Sequence, residues 1–189
     1  MKITRNLLFT LLIMGVLSGC YTESKNPLSP SEGAIADLRL IGKWKTKDGD
    51  LLIITATHKG AWMHLEEVPS KKGGTTPAFY DFYPTAIGSQ RFLNIRMTEY
   101  DAKNRPKKRR GYIFAHYEVS KKGTLSFCTM SDEEMAKVVK TGKLKGHVEK
   151  GQYLTDVFIN DSTENLVTFL KTTNLKTIFP NCVTFKKVL

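Results

Sequence analysis

Four histidines carry the side chains best suited to act as a base or a metal ligand in this chain: His58, His64, His116 and His147. His64 and His116 fall on two predicted strands from which both imidazoles can face one barrel interior. None of the four lies in a metalloprotease, CxxC, serine-hydrolase, P-loop or dinucleotide-binding spacing. We therefore expect no catalytic residue, no metal, no cofactor and a non-enzymatic role.

Two groups of carboxylates are the other candidates for chemistry. Glu66 and Glu67 are adjacent in a predicted strand, so their side chains point to opposite faces. The acidic run at 132–134 falls where a helix is predicted to begin, and carboxylates at that position stabilise the helix through its dipole. Neither group predicts an acid–base pair.

A cysteine with a different chemistry ends the Leu-Ser-Gly-Cys motif at 17–20. The motif follows two cations, Lys2 and Arg5, and an apolar run at 7–17 that is shorter than the roughly 20 residues a spanning helix needs. This arrangement resembles the signal of bacterial lipoproteins. The alternative is an ordinary secretory signal with an incidental cysteine.

The lipoprotein resemblance implies that the Cys20 thiol is diacylated, that cleavage precedes Cys20, and that the new amino terminus is acylated. More than one acyl chain gives stable membrane anchoring without a transmembrane helix. Tyr21 stands where an aspartate would retain the protein at the inner membrane, so the outer membrane of the cell envelope is expected.

Composition divides the rest of the chain into a tether and one domain. Residues 20–37 have no hydrophobic period and carry Ser, Pro, Asn and Gly, which predicts a lipidated flexible tether after the 1–19 signal peptide. Residues 38–189 are long enough for a single core.

Short runs rich in β-branched and aromatic residues fill this domain at intervals of about ten residues. They predict a mainly β fold, a single antiparallel barrel of eight or nine strands. The expected strands are at 42–46, 50–58, 61–68, 78–87, 91–100, 111–120, 124–130, 153–159 and 182–188. Capping boxes at 131–134 and 161–164 predict two short helices in the C-terminal half, packed on the barrel.

The Gly-x-Trp element formed by Gly42 and Trp44 is similar to that of lipocalin-like barrels. After Met130 the sequence predicts a capped helix, a Lys- and Gly-rich connection at 141–151, a second helix and a final strand. This order resembles that of a group of uncharacterised bacterial lipoproteins with a lipocalin-like domain. The resemblance implies that Trp44 plugs the closed end of the barrel, and it supplies no catalytic residue.

An eight-stranded barrel either fills its interior with side chains or holds one small ligand. Strand alternation predicts which residues face inward. The lumen candidates are Trp44, Met63, Leu65, Leu93, Ile95, Met97, Ile113 and Tyr117. Three expectations follow. The first is a small apolar or amphipathic ligand or lipid in this lumen, the second is a filled barrel in a structural or partner-binding lipoprotein, and the third is an envelope enzyme or enzyme inhibitor.

The strand at 111–120 carries aromatics on both faces, so we expect a helix to cover one of them.

Cys128 and Cys182 remain in the mature chain, and an envelope compartment permits disulfides. They pair if barrel closure brings the last strand beside the one at 124–130. Because both lie in hydrophobic runs, two buried free thiols are the slightly favoured alternative.

The formal net charge falls from +11 to +9 once Lys2 and Arg5 leave with the signal. Six cations are concentrated in one connection: Lys103, Arg105, Lys107, Lys108, Arg109 and Arg110. In the envelope, such a loop is expected to contact anionic lipid headgroups or an acidic polymer, or to remain solvated. No nucleic acid partner is expected, because the chain is exported and no aromatic residue interleaves the run.

Overall fold

The computed structural model describes residues 22–70, 77–97, 111–150 and 155–188. These residues form eleven strands and three α-helices, with a 3₁₀ turn at Leu38–Leu40. The strands are β1 (Thr22–Ser24), β2 (Gly42–Lys45), β3 (Leu51–Ala56), β4 (Met63–Val68), β5 (Ala78–Ile87), β6 (Gln90–Met97), β7 (Ile113–Val119), β8 (Thr124–Thr129), β9 (Gly146–Lys150), β10 (Thr155–Ile159) and β11 (Asn181–Val188). The helices are α1 (Asp132–Lys140), α2 (Thr163–Thr172) and α3 (Leu175–Ile178).

Eight antiparallel strands form a closed barrel in the order β11-β2-β3-β4-β5-β6-β7-β8. Closure comes from β11, which pairs with β8 along one edge and with β2 along the other. The predicted mainly β barrel is thereby confirmed, with eight strands. Because the barrel is closed, none of these eight strands leaves an unpaired edge.

Period-two alternation in the sequence sets the inner face of the barrel. Along β6, Leu93 and Ile95 point inward and are buried, whereas Arg96 is exposed. The interior cluster is dominated by large apolar side chains from every barrel strand, including Phe82 and Phe185.

A second hydrophobic core lies on the outside of the barrel. There a small sheet in the order β1-β10-β9 and the helices pack against barrel residues such as Phe92 and Phe114. Leu166 and Leu170 of α2 are buried in this outer core, as expected for the apolar stripe of that helix. One face of the strand at 111–120 is covered as expected, because Phe114 points outward and is only 1% exposed, but the cover includes β1, whose Ser24 is bridged to Tyr112, and is not a helix alone.

The predicted flexible tether at 20–37 is wrong for the residues that the structure describes. β1 is buried and pairs in parallel with β10, Thr22 opposite Val157 and Ser24 opposite Ile159. Further along, Leu28 is 2% exposed and contributes to the outer core. The folded domain therefore includes β1 and does not begin near Leu38, because backbone pairing and one isolated leucine can order a segment that has no hydrophobic period.

The C-terminal half differs from the prediction in two further ways. The strand expected at 153–159 is observed as β10 but belongs to the outer sheet rather than the barrel, and its partner β9 lies inside the stretch 141–151 that was expected to be a connection. A third short helix, α3, follows α2. The basic, glycine-containing composition of residues 141–151 does not predict a strand, because the position of β9 is set by its pairing with β10.

Helix starts follow the capping chemistry in the sequence. The hydroxyls of Ser131 and Ser162 each accept a hydrogen bond from the backbone amide three residues later, at 3.3 Å. The second helix thus begins one residue later than the box at 161–164 predicts. Asp161 instead accepts a bond from the backbone amide of Lys145, which ties the connection before β9 to α2. Among the described residues, none of the helices is both long and apolar enough to span a membrane.

Candidate functional site at the barrel mouth

The predicted lumen residues lie in the barrel interior. Seven of them are buried members of the interior core: Trp44, Met63, Leu65, Leu93, Ile95, Ile113 and Tyr117. Met97 is partly buried and packs against the same core. Alternation along the strands was therefore sufficient to identify the inner face.

Side chains fill most of this interior. Trp44, Met63 and Phe82 are each fully enclosed at 0% exposure, and Tyr80 and Tyr117 are 1% exposed. The volume of these aromatic and thioether side chains occupies the space in which a wider barrel would hold a lipid.

One end of the barrel is closed by the 3₁₀ turn that precedes β2. Leu40 is 1% exposed in the interior core, and its carbonyl accepts a 2.7 Å hydrogen bond from the indole nitrogen of Trp44. Next to it, the Tyr117 hydroxyl donates to the Asp37 carboxylate at 3.0 Å. Hydrogen bonds from Arg39 hold the pKa of Asp37 below its usual value, and the bond from Tyr117 acts in the same direction. The burial of Trp44 matches the plug that the Gly-x-Trp resemblance implies.

A cavity lies toward the opposite end, beside the turn between β2 and β3. We call it the mouth cavity, and its volume is about 30 Å³. That is room for about two water molecules, far below the several hundred Å³ of a typical ligand pocket. The cavity is lined by Thr46, Asp50, Leu52, Leu65, Glu67, Tyr80, Ile95, Phe127, Val183 and Phe185.

Asp50 is held rigidly at the rim of the mouth cavity. One carboxylate oxygen accepts a 2.8 Å bond from the Ser70 amide, and the other accepts a 3.2 Å bond from the Thr46 hydroxyl. The Thr46 hydroxyl oxygen accepts in turn from the Asp50 amide at 3.0 Å. These bonds compensate the burial of Asp50, which is 7% exposed.

Glu67 is the unusual member of the lining. It follows Met63 and Leu65 at period two along β4, so it continues their inward face into the cavity. Among the described residues, no hydrogen-bond donor or cation contacts its carboxylate. Burial raises the pKa of Glu67 to about 7, and the negative charge of Asp50 raises it further.

The sequence contained a signal for Glu67 that a reading of adjacent carboxylates overlooks. Glu66 and Glu67 do point to opposite faces, but one of those faces is the barrel interior that Met63 and Leu65 define. Asp50 could not be identified in the same way, because its role depends on the turn that carries it to the cavity.

The histidines do not share a lumen. His64 lies outward on β4, where its ring Nδ1 is 3.0 Å from an Asp81 oxygen, and its side chain is 36% exposed. His116 bonds to Gln90 at 2.8 Å and contacts Phe92 and Phe179 of the outer core. The expectation that both can face one interior is wrong, because each lies one residue out of phase with the inward positions.

The two cysteines of the domain form a disulfide. Cys128 of β8 lies opposite Cys182 of β11, with a Cα–Cα distance of 4.0 Å. The alternative of two buried free thiols is wrong, because closure of the barrel places the last strand beside β8. Cys182 is also exposed rather than buried.

Two further predicted sites lie outside the described residues. They are the lipidation site Cys20 and the basic run of Lys103, Arg105, Lys107, Lys108, Arg109 and Arg110. Within the described residues, no cluster of three or more histidine, cysteine or acidic side chains is arranged to hold a metal ion.

Comparison with known proteins adds no relative. No family model, curated protein or solved structure matches the chain.

Proposed function

We propose that this chain is a lipid-anchored protein of the bacterial outer membrane, a non-enzymatic binding module whose ligand site is the mouth cavity. The observation that carries the binding role is the cavity itself, a largely apolar recess beside the turn between β2 and β3, away from the closed end of the barrel. The anchor is supported by the cations, apolar run and Leu-Ser-Gly-Cys motif that precede Cys20.

The size of the cavity defines how a ligand binds. A volume of about 30 Å³ accepts the head of a small amphipathic molecule and leaves the rest of that molecule at the rim. A lipid tail enclosed along the barrel axis would need Phe82 or Met63 to leave the interior. The proposed ligand is therefore small and bound by one end.

The filled interior favours a second candidate, a structural or partner-binding envelope lipoprotein. In that role the barrel is a rigid scaffold, and the six cations within 103–110 contact anionic headgroups or an acidic envelope polymer. The mouth cavity then holds only water.

Acylation is tested by replacing the modified thiol. Cys20→Ala should leave an uncleaved precursor that incorporates no labelled palmitate, whereas a variant with both Cys128 and Cys182 replaced by alanine, which loses the disulfide but keeps the signal, should be processed and labelled normally. Maturation and labelling of the Cys20→Ala protein would refute the lipoprotein assignment.

Ligand binding is tested by native mass spectrometry of the mature protein released from host membranes. A small molecule bound at one per chain supports the binding module and identifies its ligand. An empty barrel that also fails to bind small apolar probes supports the scaffold role.

A further inference from the structure

The mouth cavity combines an apolar wall with an unpaired acidic group. Leu52 and Ile95 contribute hydrocarbon to the lining, and Leu52 lies directly opposite Glu67 in the pairing of β3 with β4. Glu67 is half-buried, so these surroundings remove part of the hydration of its carboxylate, and no donor among the described residues replaces it. A bound partner with complementary charge would restore that lost stabilisation.

The charges at the cavity favour a cation over other ligand classes. The titratable groups in its lining are Glu67 on β4, Asp50 at the turn before β3, and Tyr80 on β5. The Asp50 oxygens are directed to Thr46 and Ser70, so Glu67 is the carboxylate left to bind a ligand. An anionic head would meet two carboxylates, whereas a neutral head would leave Glu67 without a counter-charge.

The apolar wall also distinguishes between kinds of cation. A hydrated metal ion needs several oxygen ligands, and no cluster of three or more metal-ligating side chains is present among the described residues. An alkylammonium ion needs one carboxylate for its charge and hydrocarbon for its first carbons. Its head fits a space of about 30 Å³.

We propose that the mouth cavity binds the ammonium head of a small amphipathic amine, with the Glu67 carboxylate as its counter-ion and the Leu52 and Ile95 side chains against its first carbons. The inference rests on the proposed function, since it assigns a ligand class to the same cavity. It adds selectivity: an amine should bind where an alcohol or acid of the same length does not.

The test uses mature acylated protein in nanodiscs of zwitterionic lipid and three probes of equal length: butylammonium, butan-1-ol and butyrate. Saturation-transfer NMR titrations give each Kd at pH 7.5. Butylammonium should bind at least about tenfold more tightly than butan-1-ol, as expected for a charge-assisted bond in a partly desolvated site. Empty nanodiscs provide the background for partition into lipid.

Glu67→Gln isolates the contribution of the carboxylate, and Glu66→Gln is its matched control on the outer face of the same strand. The first substitution should abolish the preference for the amine, and the second should leave it intact. A preference that survives Glu67→Gln in the folded protein would overturn the assignment.

A pH titration of the wild-type protein tests the same site without any substitution. Only ionised Glu67 can pair with the ammonium, so affinity for butylammonium should rise as much as about fiftyfold between pH 5 and pH 7. That factor follows from the pKa of about 7, which leaves about 1% of Glu67 ionised at pH 5 and about half at pH 7. A flat profile would contradict the role of Glu67.

The three probes separate failure of this inference from failure of the proposed function. Equal binding of butan-1-ol and butylammonium would overturn amine selectivity while leaving a ligand site at the mouth. Absence of binding by all three probes would overturn both and favour the scaffold.

Discussion

The side-chain oxygen of Asn94 accepts a 2.7 Å hydrogen bond from the backbone amide of Leu28, in a position closed to solvent. The amide nitrogen of the same side chain donates to the Thr85 hydroxyl at 2.6 Å. Asn94 thus joins the outside of the barrel to the N-terminal segment, and it is 0% exposed.

Asn94→Ala should lower the free energy of unfolding by about 1–3 kcal/mol, because it leaves the buried Leu28 amide without an acceptor. Urea unfolding measures this loss, and hydrogen exchange should show faster exchange at Leu28. The exposed Asn181 provides a matched control, and Asn181→Ala should change stability by less than about 0.5 kcal/mol. Equal effects of the two substitutions would show that the Asn94 bridge contributes nothing.

The disulfide between Cys128 and Cys182 closes a loop with a sequence separation of 54 residues. In the chain-entropy model such a crosslink stabilises the folded state by about 4 kcal/mol, so reductant should lower the urea midpoint of the wild-type protein. A variant with both cysteines replaced by alanine should unfold at that lower midpoint and not respond to reductant. A midpoint unchanged by reduction would argue against the bond.

Glu67 should make stability depend on pH. Its pKa is raised to about 7 in the folded protein from an ordinary value of 4.5. The folded state therefore holds the proton more tightly, so this contribution is fully present below pH 4.5 and is lost as pH rises through 7. The total loss is about 3 kcal/mol, taken from the size of the shift.

Comparison with two neighbouring variants isolates this contribution. Glu67→Gln should be more stable than the wild-type protein at pH 8 and should lose the fall in stability between pH 5 and pH 8. Glu66→Gln should retain that fall. If the stabilities of the wild-type protein and Glu67→Gln changed in parallel with pH, ionisation of Glu67 would have no cost in folding stability.

The contact between Tyr117 and Asp37 should stabilise the closed end of the barrel. Tyr117→Phe removes a hydroxyl that donates to a carboxylate, at a cost of about 1 kcal/mol, and it should have little effect when Asp37→Asn is already present. The pKa of Asp37 is lowered, chiefly by hydrogen bonds from Arg39, so its contribution is present above pH 4 and is lost as pH falls through the folded-state pKa. Additive effects of the two substitutions would show that the groups are not coupled.

The barrel could be predicted because its strands repeat a simple pattern. Leu93 and Ile95 alternate with polar residues, and the same alternation around the barrel defines the interior. Asn94 illustrates the limit of that pattern: alternation places it outward, which is correct, but its burial under the segment that contains Leu28 depends on a tertiary contact.

The outer layer was less predictable because partners distant in sequence create it. The three residues of β1 carry no hydrophobic pattern, and their order comes from pairing with β10. The disulfide likewise depends on the register of β8 against β11, which places Cys128 opposite Cys182. At the candidate site, the inward position of Glu67 could be predicted from the alternation along β4. The position of Asp50 could not, because it depends on the geometry of the turn before β3.

The early start of β1 determines how close the barrel would lie to a bilayer. With acyl chains on Cys20, only Tyr21 separates the anchor from Thr22, and two peptide units extend at most about 7 Å. A flexible 17-residue leash would instead have a mean reach of roughly 20–25 Å. With that anchor, the short connection would hold the folded domain directly against the headgroup layer and restrict how it can turn there.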